Sequence, residues 1–405
     1  VKEDSVDRDL LFVGTEMGLW ISTDGGGHWA EFKGGNFPSV AVRDIAIQDR
    51  DSDLVLGTHG RGIWVVDDIS PLRSIDDAML EKEAAFVASR PVQQRISSFG
   101  GTVEGDARFV GDNPSNAAVI TYYQRTRHLF GDLKIEVLDP NGKVIETLPA
   151  SKRRGLNRIT WSMREKPPVV PPAAQLANFG TIGPRVMPGT YTVRMTKNKQ
   201  VYEAPLEVSI DSRSGITQAS RQAQYDAAMR VHGMFGAMTG LMARINAVRE
   251  QANQLAAKAP EGDPLRKQVG AFAEKVDAIR KEIVATKEGG AITGEERLRE
   301  KLDNVYGAIV FYEGAPGPYQ LATVDALQKE MDGVSAEFDS LVATDLPKVN
   351  AALKAKGAPE IQVPPAQPVA ESPVSSADIN AAFAAWAHGS FGLDLDRGTD
   401  IHERD

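Results

Sequence analysis

Cysteine is absent from the whole 405-residue chain. Disulfides, thiolate catalysis and cysteine-ligated zinc or iron–sulfur centres are thereby excluded, while the cytoplasm, a bacterial periplasm and a cell surface all stay open. Nothing approaches the roughly 18–20 uncharged apolar residues of a membrane helix, so no membrane span is expected. No signal-peptide pattern opens the chain, which starts on Val1, and an internal point of a longer protein is the expectation. Basic residues are scarce at the start: residues 1–80 hold 15 Asp and Glu against seven Lys and Arg, and the whole chain carries a formal charge of −9. Phosphate binding needs a basic surface, so no nucleic-acid partner is expected.

The chain that remains is too long for one compact core and ordinary in composition, 42% apolar and 25% charged. Two to four globular domains are expected. "LFVGTEMGLW" at 11–20 returns as "LVLGTHGRGIW" at 54–64, so that Gly14 matches Gly57, Thr15 matches Thr58 and Trp20 matches Trp64. A period of this length, about 40–45 residues, suits one four-stranded blade of a β-propeller. Between the copies lies "STDGGGHW", which places Ser22, Asp24, Gly26 and Trp29 in an S-x-D-x-G-x-x-W pattern. The logic is that of a hairpin turn. Glycines accept positive φ, the Asp24 carboxylate accepts turn amides, and the Trp29 ring lies beneath.

These residues identify the start of the chain as resembling the Asp-box, or BNR, repeat of sialidases, oligoxyloglucan hydrolases and the sortilin ectodomain. Residues 3–73 as a whole resemble the final blades of the bacterial sortilin-like BNR-repeat proteins, often labelled glycosyl hydrolases. The resemblance implies an extracytoplasmic bacterial protein (periplasmic, cell-surface or secreted). It also implies that Ser22, Asp24, Gly26 and Trp29 are fold elements and not catalytic groups. Two repeats make about one and three-quarter blades, whereas a ring needs at least about four. The expected partner is therefore the polypeptide that supplies the remaining blades, either an upstream part of the same protein or a separate chain. A glycan or peptide ligand is a further possible partner, and Glu16, His59, Arg61, Asp67 and Asp68 are the ligand-face candidates. No catalytic residue, metal or cofactor is assigned.

Residues 84–211 change character. Short alternating runs and an Asn-Gly turn between 133–138 and 143–148 predict a β-sandwich, similar to the immunoglobulin-like module that follows the propeller in this family. Tyr122, Tyr123 and Trp161 are expected in its core or at its edge. Its Pro- and Gly-rich interruption, 164–189, is too long for a mere connector and is expected to be a mobile loop packing on the propeller rim or a ligand or partner contact. Over 217–357 the apolar period turns helical. Four seams (Met234 to Val248, Leu265 to Ile283, Leu298 to Tyr312, Val324 to Leu341) are spaced 3 and 4 residues apart and predict an antiparallel bundle. Gly233, Gly236 and Gly240 are expected at a close helix crossing. A Pro-rich linker, 358–376, leads to a tail, 377–405, with an amphipathic stretch at Ile379, Phe383 and Trp386. Asp394, Asp396 and Asp400 resemble part of a calcium loop but lack its distal Glu.

The fold expected is thus multidomain: blades over 1–76, a sandwich, a bundle, a linker and the tail. The expected function is ligand binding and protein assembly. A glycoside hydrolase whose active site lies mostly in missing blades, and a structural subunit of a larger complex, are the alternatives.

Overall fold

The computed structural model describes residues 1–34, 36–88, 90–96, 115–287 and 294–366. The amphipathic stretch and the aspartates of 394–400 lie outside the described residues, as does the linker beyond residue 366. The chain combines several β-sheets with several helices and separates into two compact units. One takes Val1–Met163 with Val186–Arg221, the other Arg164–Arg185 with the helices from Gln222 onward.

The first unit begins with two small antiparallel sheets, one per sequence repeat. Strands β1 (Lys2–Glu3), β2 (Leu11–Thr15), β3 (Gly18–Ser22) and β4 (Ala30–Glu31) form a sheet in that order. Strands β5 (Val42–Gln48), β6 (Asp53–Thr58) and β7 (Ile63–Val66) form a second sheet, also in chain order. The repeat is reproduced pair for pair: Val13 faces Trp20 across β2 and β3, and Leu56 faces Trp64 across β6 and β7.

The two copies nevertheless bury opposite faces. In the first sheet Phe12 and Leu19 are fully buried, whereas in the second Leu54 and Leu56 are, beside the buried Val42 and with Trp64 and Val66 packed against them. By the repeat alignment, Leu54, Leu56 and Trp64 match Leu11, Val13 and Trp20, which the first sheet turns away from the shared core. Successive side chains alternate faces, so the two sheets stack like pages all facing one way. Gly14 makes the stack close: a Cβ there would stand 2.5 Å from the carbonyl oxygen of Val42.

A short 3-10 turn, Ser70–Ser74, and helix α1 (Asp77–Leu80) lead to two further sheets. Strands β8 (Ala84–Phe86), β9 (Val92–Gln94), β10 (Ala118–Gln124), β11 (Leu133–Leu138), β12 (Val144–Leu148), β13 (Gly155–Trp161), β14 (Gly189–Lys197) and β15 (Gln200–Ile210) order as β13-β10-β8 and β12-β11-β14-β15-β9. All pairs are antiparallel except β15 with β9. The two sheets share one core, in which Trp161 packs its ring 5.3 Å from that of Tyr191. Tyr122 is fully buried there, while Tyr123 sits at the edge and donates to the Leu80 carbonyl. The Asn-Gly turn forms between β11 and β12, with the Asp139 carboxylate accepting the amides of Asn141 and Lys143.

The second unit holds α2 (Gln218–Lys258, whose first turn belongs to the other unit), α3 (Pro264–Ile283), α4 (Leu298–Val310), α5 (Pro318–Thr344) and α6 (Leu346–Ala355). One apolar core joins all five, and the residues of the four seams are buried or packed against it with a single exception. Tyr312 is 58% exposed because α4 ends at Val310, so the helical period no longer places it.

Two expectations fail in this unit. The long loop after β13 is not free. Its residues 164–185 belong to the helical unit, where the Asp303 carboxylate of α4 accepts the amides of Asn178, Phe179 and Gly180, and Tyr306 donates to the Ile182 carbonyl. Gly233 and Gly236 do not lie at a close crossing either. Among the described residues a Cβ on either would meet nothing within 4 Å, and with Gly240 they line an open groove of about 470 Å³. Among the described residues no helix is long and apolar enough to cross a membrane.

Candidate functional site

The S-x-D-x-G turn links β3 to β4 and shows where each of its groups is spent. Ser22 donates its hydroxyl to Asp24 Oδ1 at 2.7 Å and accepts the Gly26 amide at 2.9 Å. The same Asp24 oxygen accepts the His28 amide at 2.8 Å, and Oδ2 meets His28 Nδ1 at 2.6 Å. Trp29 reaches back beneath the turn, its indole N–H donating to the Gly26 carbonyl. Gly25 and Gly26 take φ of 69° and 96°, which a side chain would resist. The His28 amide, then the Ser22 hydroxyl and the His28 ring, hold the Asp24 carboxyl well below the usual carboxylate range. With both oxygens occupied, Asp24 is a turn element.

A titration follows from this geometry. The Asp24 hydrogen bond raises the His28 pKa above its ordinary 6.5. The contribution of Asp24 is present above pH 3.8 and fades on acidification, whereas that of His28 is complete below pH 6.5 and fades as pH rises past its raised value. The pair therefore supports the turn most between those limits. Proton NMR should show the His28 ring titrating above 6.5, and Asp24→Asn should lower it toward that value. An unshifted His28 in the wild type would contradict the pairing.

The five ligand-face candidates do not converge. Glu16 and His59 sit on the β2–β3 and β6–β7 hairpin tips, bridged by the start of β5 and the segment that leads into it. Arg43 forms a bidentate ion pair with Glu16 at 2.7 and 3.1 Å, Ser39 bonds to Met17, and the His59 amide bonds to Ala41. Arg61 shares the second tip, its carbonyl accepting the Trp64 indole N–H. Asp67 and Asp68 lie beyond the other end of β7. Asp68 bonds Ser70 through its carboxylate and adopts a left-handed φ of 51°. Burial, with Asp53 nearby, raises the Asp67 carboxyl above its ordinary range.

Asp67 and Asp68 belong instead to a cleft of about 1110 Å³, within the first unit, between the two repeat sheets. Its floor is apolar: Ile21, Trp29 and Phe32 from the first copy, Phe37 from the connection, Trp64 and Val66 from β7. Phe37 packs edge-on against Trp64, ring centres 5.4 Å apart. On the far rim stand Leu156 and Arg158 of β13, and Arg158 donates to the carbonyls of Asp67 and Asp68 at 3.2 and 2.7 Å. The rim is acidic, with Asp24, Glu31, Asp67, Asp68, Asp76 and Asp77 against Lys33 and Arg158.

Reasoning from sequence missed this cleft. The signal available was the density of aromatics at 29–37 and 64; nothing local marked Leu156 and Arg158, 90 residues away. Among the described residues, no group of three or more His, Asp and Glu converges to hold a metal ion.

No family model matches the chain, and no curated protein matches it. A solved structure described as "Biofilm associated protein - BSP domain" aligns at 9% identity with a TM-score of 0.18, covering 51% of this chain. The chain spans about 30% of that structure's length. A likeness of that degree carries no argument about fold or function.

Proposed function

We propose that residues 1–76 are the last blades of an Asp-box β-propeller, that 84–211 form an immunoglobulin-like sandwich and 217–357 an antiparallel bundle, and that the chain serves ligand binding and assembly outside the cytoplasm. The observation that carries this reading is the one-way stacking of the two repeat sheets. Each copy covers its neighbour with the face that the other copy leaves bare. Leu11, Val13 and Trp20 stay only partly covered on one side of the stack, and Ile63 and Val65 are exposed on the other. A head-to-tail contact of this kind repeats until it closes into a ring, so further sheets from other polypeptide are the natural cover for both faces. The cleft between the sheets, aromatic within and polar at the rim, has the make-up of a small-ligand or peptide site.

The test is saturable binding of the full chain to arrayed β-glucans, sialosides and peptides. Binding is expected to weaken about tenfold in Trp29→Ala, with no reducing sugar released. Absence of saturable binding to every class would remove the ligand half of the reading. One observation favours a hydrolase instead: the raised Asp67 carboxyl in the cleft is suited to a general acid. Release of reducing sugar that is lost in Asp67→Asn would establish that alternative.

A further inference from the structure

Three connections meet at one end of the paired sheets built from β8 to β15. Residues 125–132 join β10 to β11, residues 149–154 join β12 to β13, and Asn198 and Lys199 turn β14 into β15. Hydrogen bonds tie the three together. The His128 amide donates to the Lys152 carbonyl at 3.0 Å, and the Asn198 amide to the Asp132 carbonyl at 2.8 Å. The Gln124 side chain donates to the carbonyls of Ser151 and Arg153. His128 is buried, with Nε2 3.1 Å from the Gly131 carbonyl. Gly131 takes a φ of 90°, and a Cβ there would run into the Asn198 side chain.

Pinned in this way, the first loop leaves two neighbouring apolar side chains in water. Leu129 is 63% and Phe130 86% exposed, and Val201 at the start of β15 is 57% exposed at the same end. Apolar groups held out together mark a contact surface. Their surroundings are cationic. The three connections carry Arg125, Arg127, Lys152, Arg153, Arg154 and Lys199 against one carboxylate, Asp132, in a chain whose net charge is −9. Arg125 is engaged by Glu81 of the segment before β8. Lys152, Arg153, Arg154 and Lys199 are exposed and form no ion pair among the described residues.

We propose that this end of the paired sheets is a membrane-surface site, at which Leu129 and Phe130 enter the headgroup–acyl boundary of an anionic bilayer and the surrounding lysines and arginines meet its phosphates. Two features favour a bilayer over a protein partner. A stable protein interface covers about 800 Å² on each side and is depleted of charge at its centre, whereas this apolar pair stands at a loop tip among cations. A bilayer needs only that shallow insertion, and each Lys or Arg near an anionic surface adds its own attraction. Long cationic stems also reach headgroup phosphates while the apolar pair sits deeper. The site stands independently of the blade reading of residues 1–76.

The experiment is flotation of the full chain with vesicles of phosphatidylcholine containing about one-third phosphatidylglycerol. Vesicles of phosphatidylcholine alone should bind at least about tenfold more weakly. Phe130→Ser should weaken binding about tenfold, and the triple variant Lys152→Ser, Arg153→Ser, Arg154→Ser about a hundredfold at low salt. All four positions are exposed, so the unfolding midpoints of both variants should match the wild type. Because the chain has no cysteine, Leu129→Cys carries a single environment-sensitive dye, whose emission should shift to the blue on anionic vesicles. The same dye on Asn141→Cys, in the hairpin at the far end of β11, should not shift. The proposal fails if the wild type ignores anionic vesicles, if either variant binds like the wild type, or if the dye at residue 129 stays in water. Binding of duplex DNA in place of vesicles would make this end a nucleic-acid surface and overturn it equally.

Discussion

Phe12→Ala is expected to cost about 3–5 kcal/mol, whereas Val55→Ala, the same position in the second repeat, should cost under about 1 kcal/mol. Phe12 is fully buried between the two repeat sheets, in a core that holds only seven buried hydrophobic residues among those described. Removing its ring leaves a void between two short sheets that have little else to hold them together. Val55 pairs with Val65 on the face that its sheet turns outward, where the loss of two methyl groups leaves no cavity. The contrast depends on one-way stacking alone. Denaturant unfolding followed by tryptophan fluorescence, with Trp64 as the reporter of this core, gives both values. Equal costs at the two positions would mean that the copies bury the same face, and the blade reading would then have no physical basis.

Asp303→Ala should be the most damaging change in the helical unit, by about 3 kcal/mol or more, because it strands buried amide donors at about 1–3 kcal/mol each. Its carboxylate accepts three consecutive backbone N–H groups at 2.6–3.1 Å and so fixes the turn at 178–180 onto α4. Asp303→Asn keeps one acceptor oxygen and should be milder. The alanine variant is also expected to become cleavable by protease between residues 172 and 183, while the wild type resists.

The pH dependence has a definite sign. Burial outweighs the amide hydrogen bonds and raises the Asp303 carboxyl above its ordinary 3.8. A raised acid contributes most below 3.8 and loses that contribution as pH climbs through its folded value. Acidification toward pH 3.8 should therefore stabilise the wild type relative to Asp303→Asn. An unchanged difference between the two across that window would show that the carboxyl titrates normally.

The elements that obey a short period were legible from sequence. Ser22, Asp24, Gly26 and Trp29 made the expected turn because each bonds within four residues of itself. The helical seams were readable because one side of a helix meets the core over its whole length. Gly233 and Gly236 misled for the same reason: a row of small residues marks a face without naming what stands opposite, and among the described residues they line an open groove. Glu16, His59 and Arg61 were grouped with Asp67 and Asp68 as candidates for one face, and separating them required knowing that β7 runs between the two groups. Arg158 carried no local sign at all, since its role at the cleft comes from two carbonyls 90 and 91 residues away.

Sequence by itself determined where this chain turns, which stretches pair as hairpins and which faces of the helices are apolar, because those properties are written in the spacing of neighbours. Tertiary structure alone decided which face each repeat buries, that the loop after β13 is pinned to α4, and that aromatics from both copies enclose one cleft. Those outcomes depend on surfaces far apart in the chain, and an alternating pattern fits either side of a sheet equally well until a second sheet covers one of them.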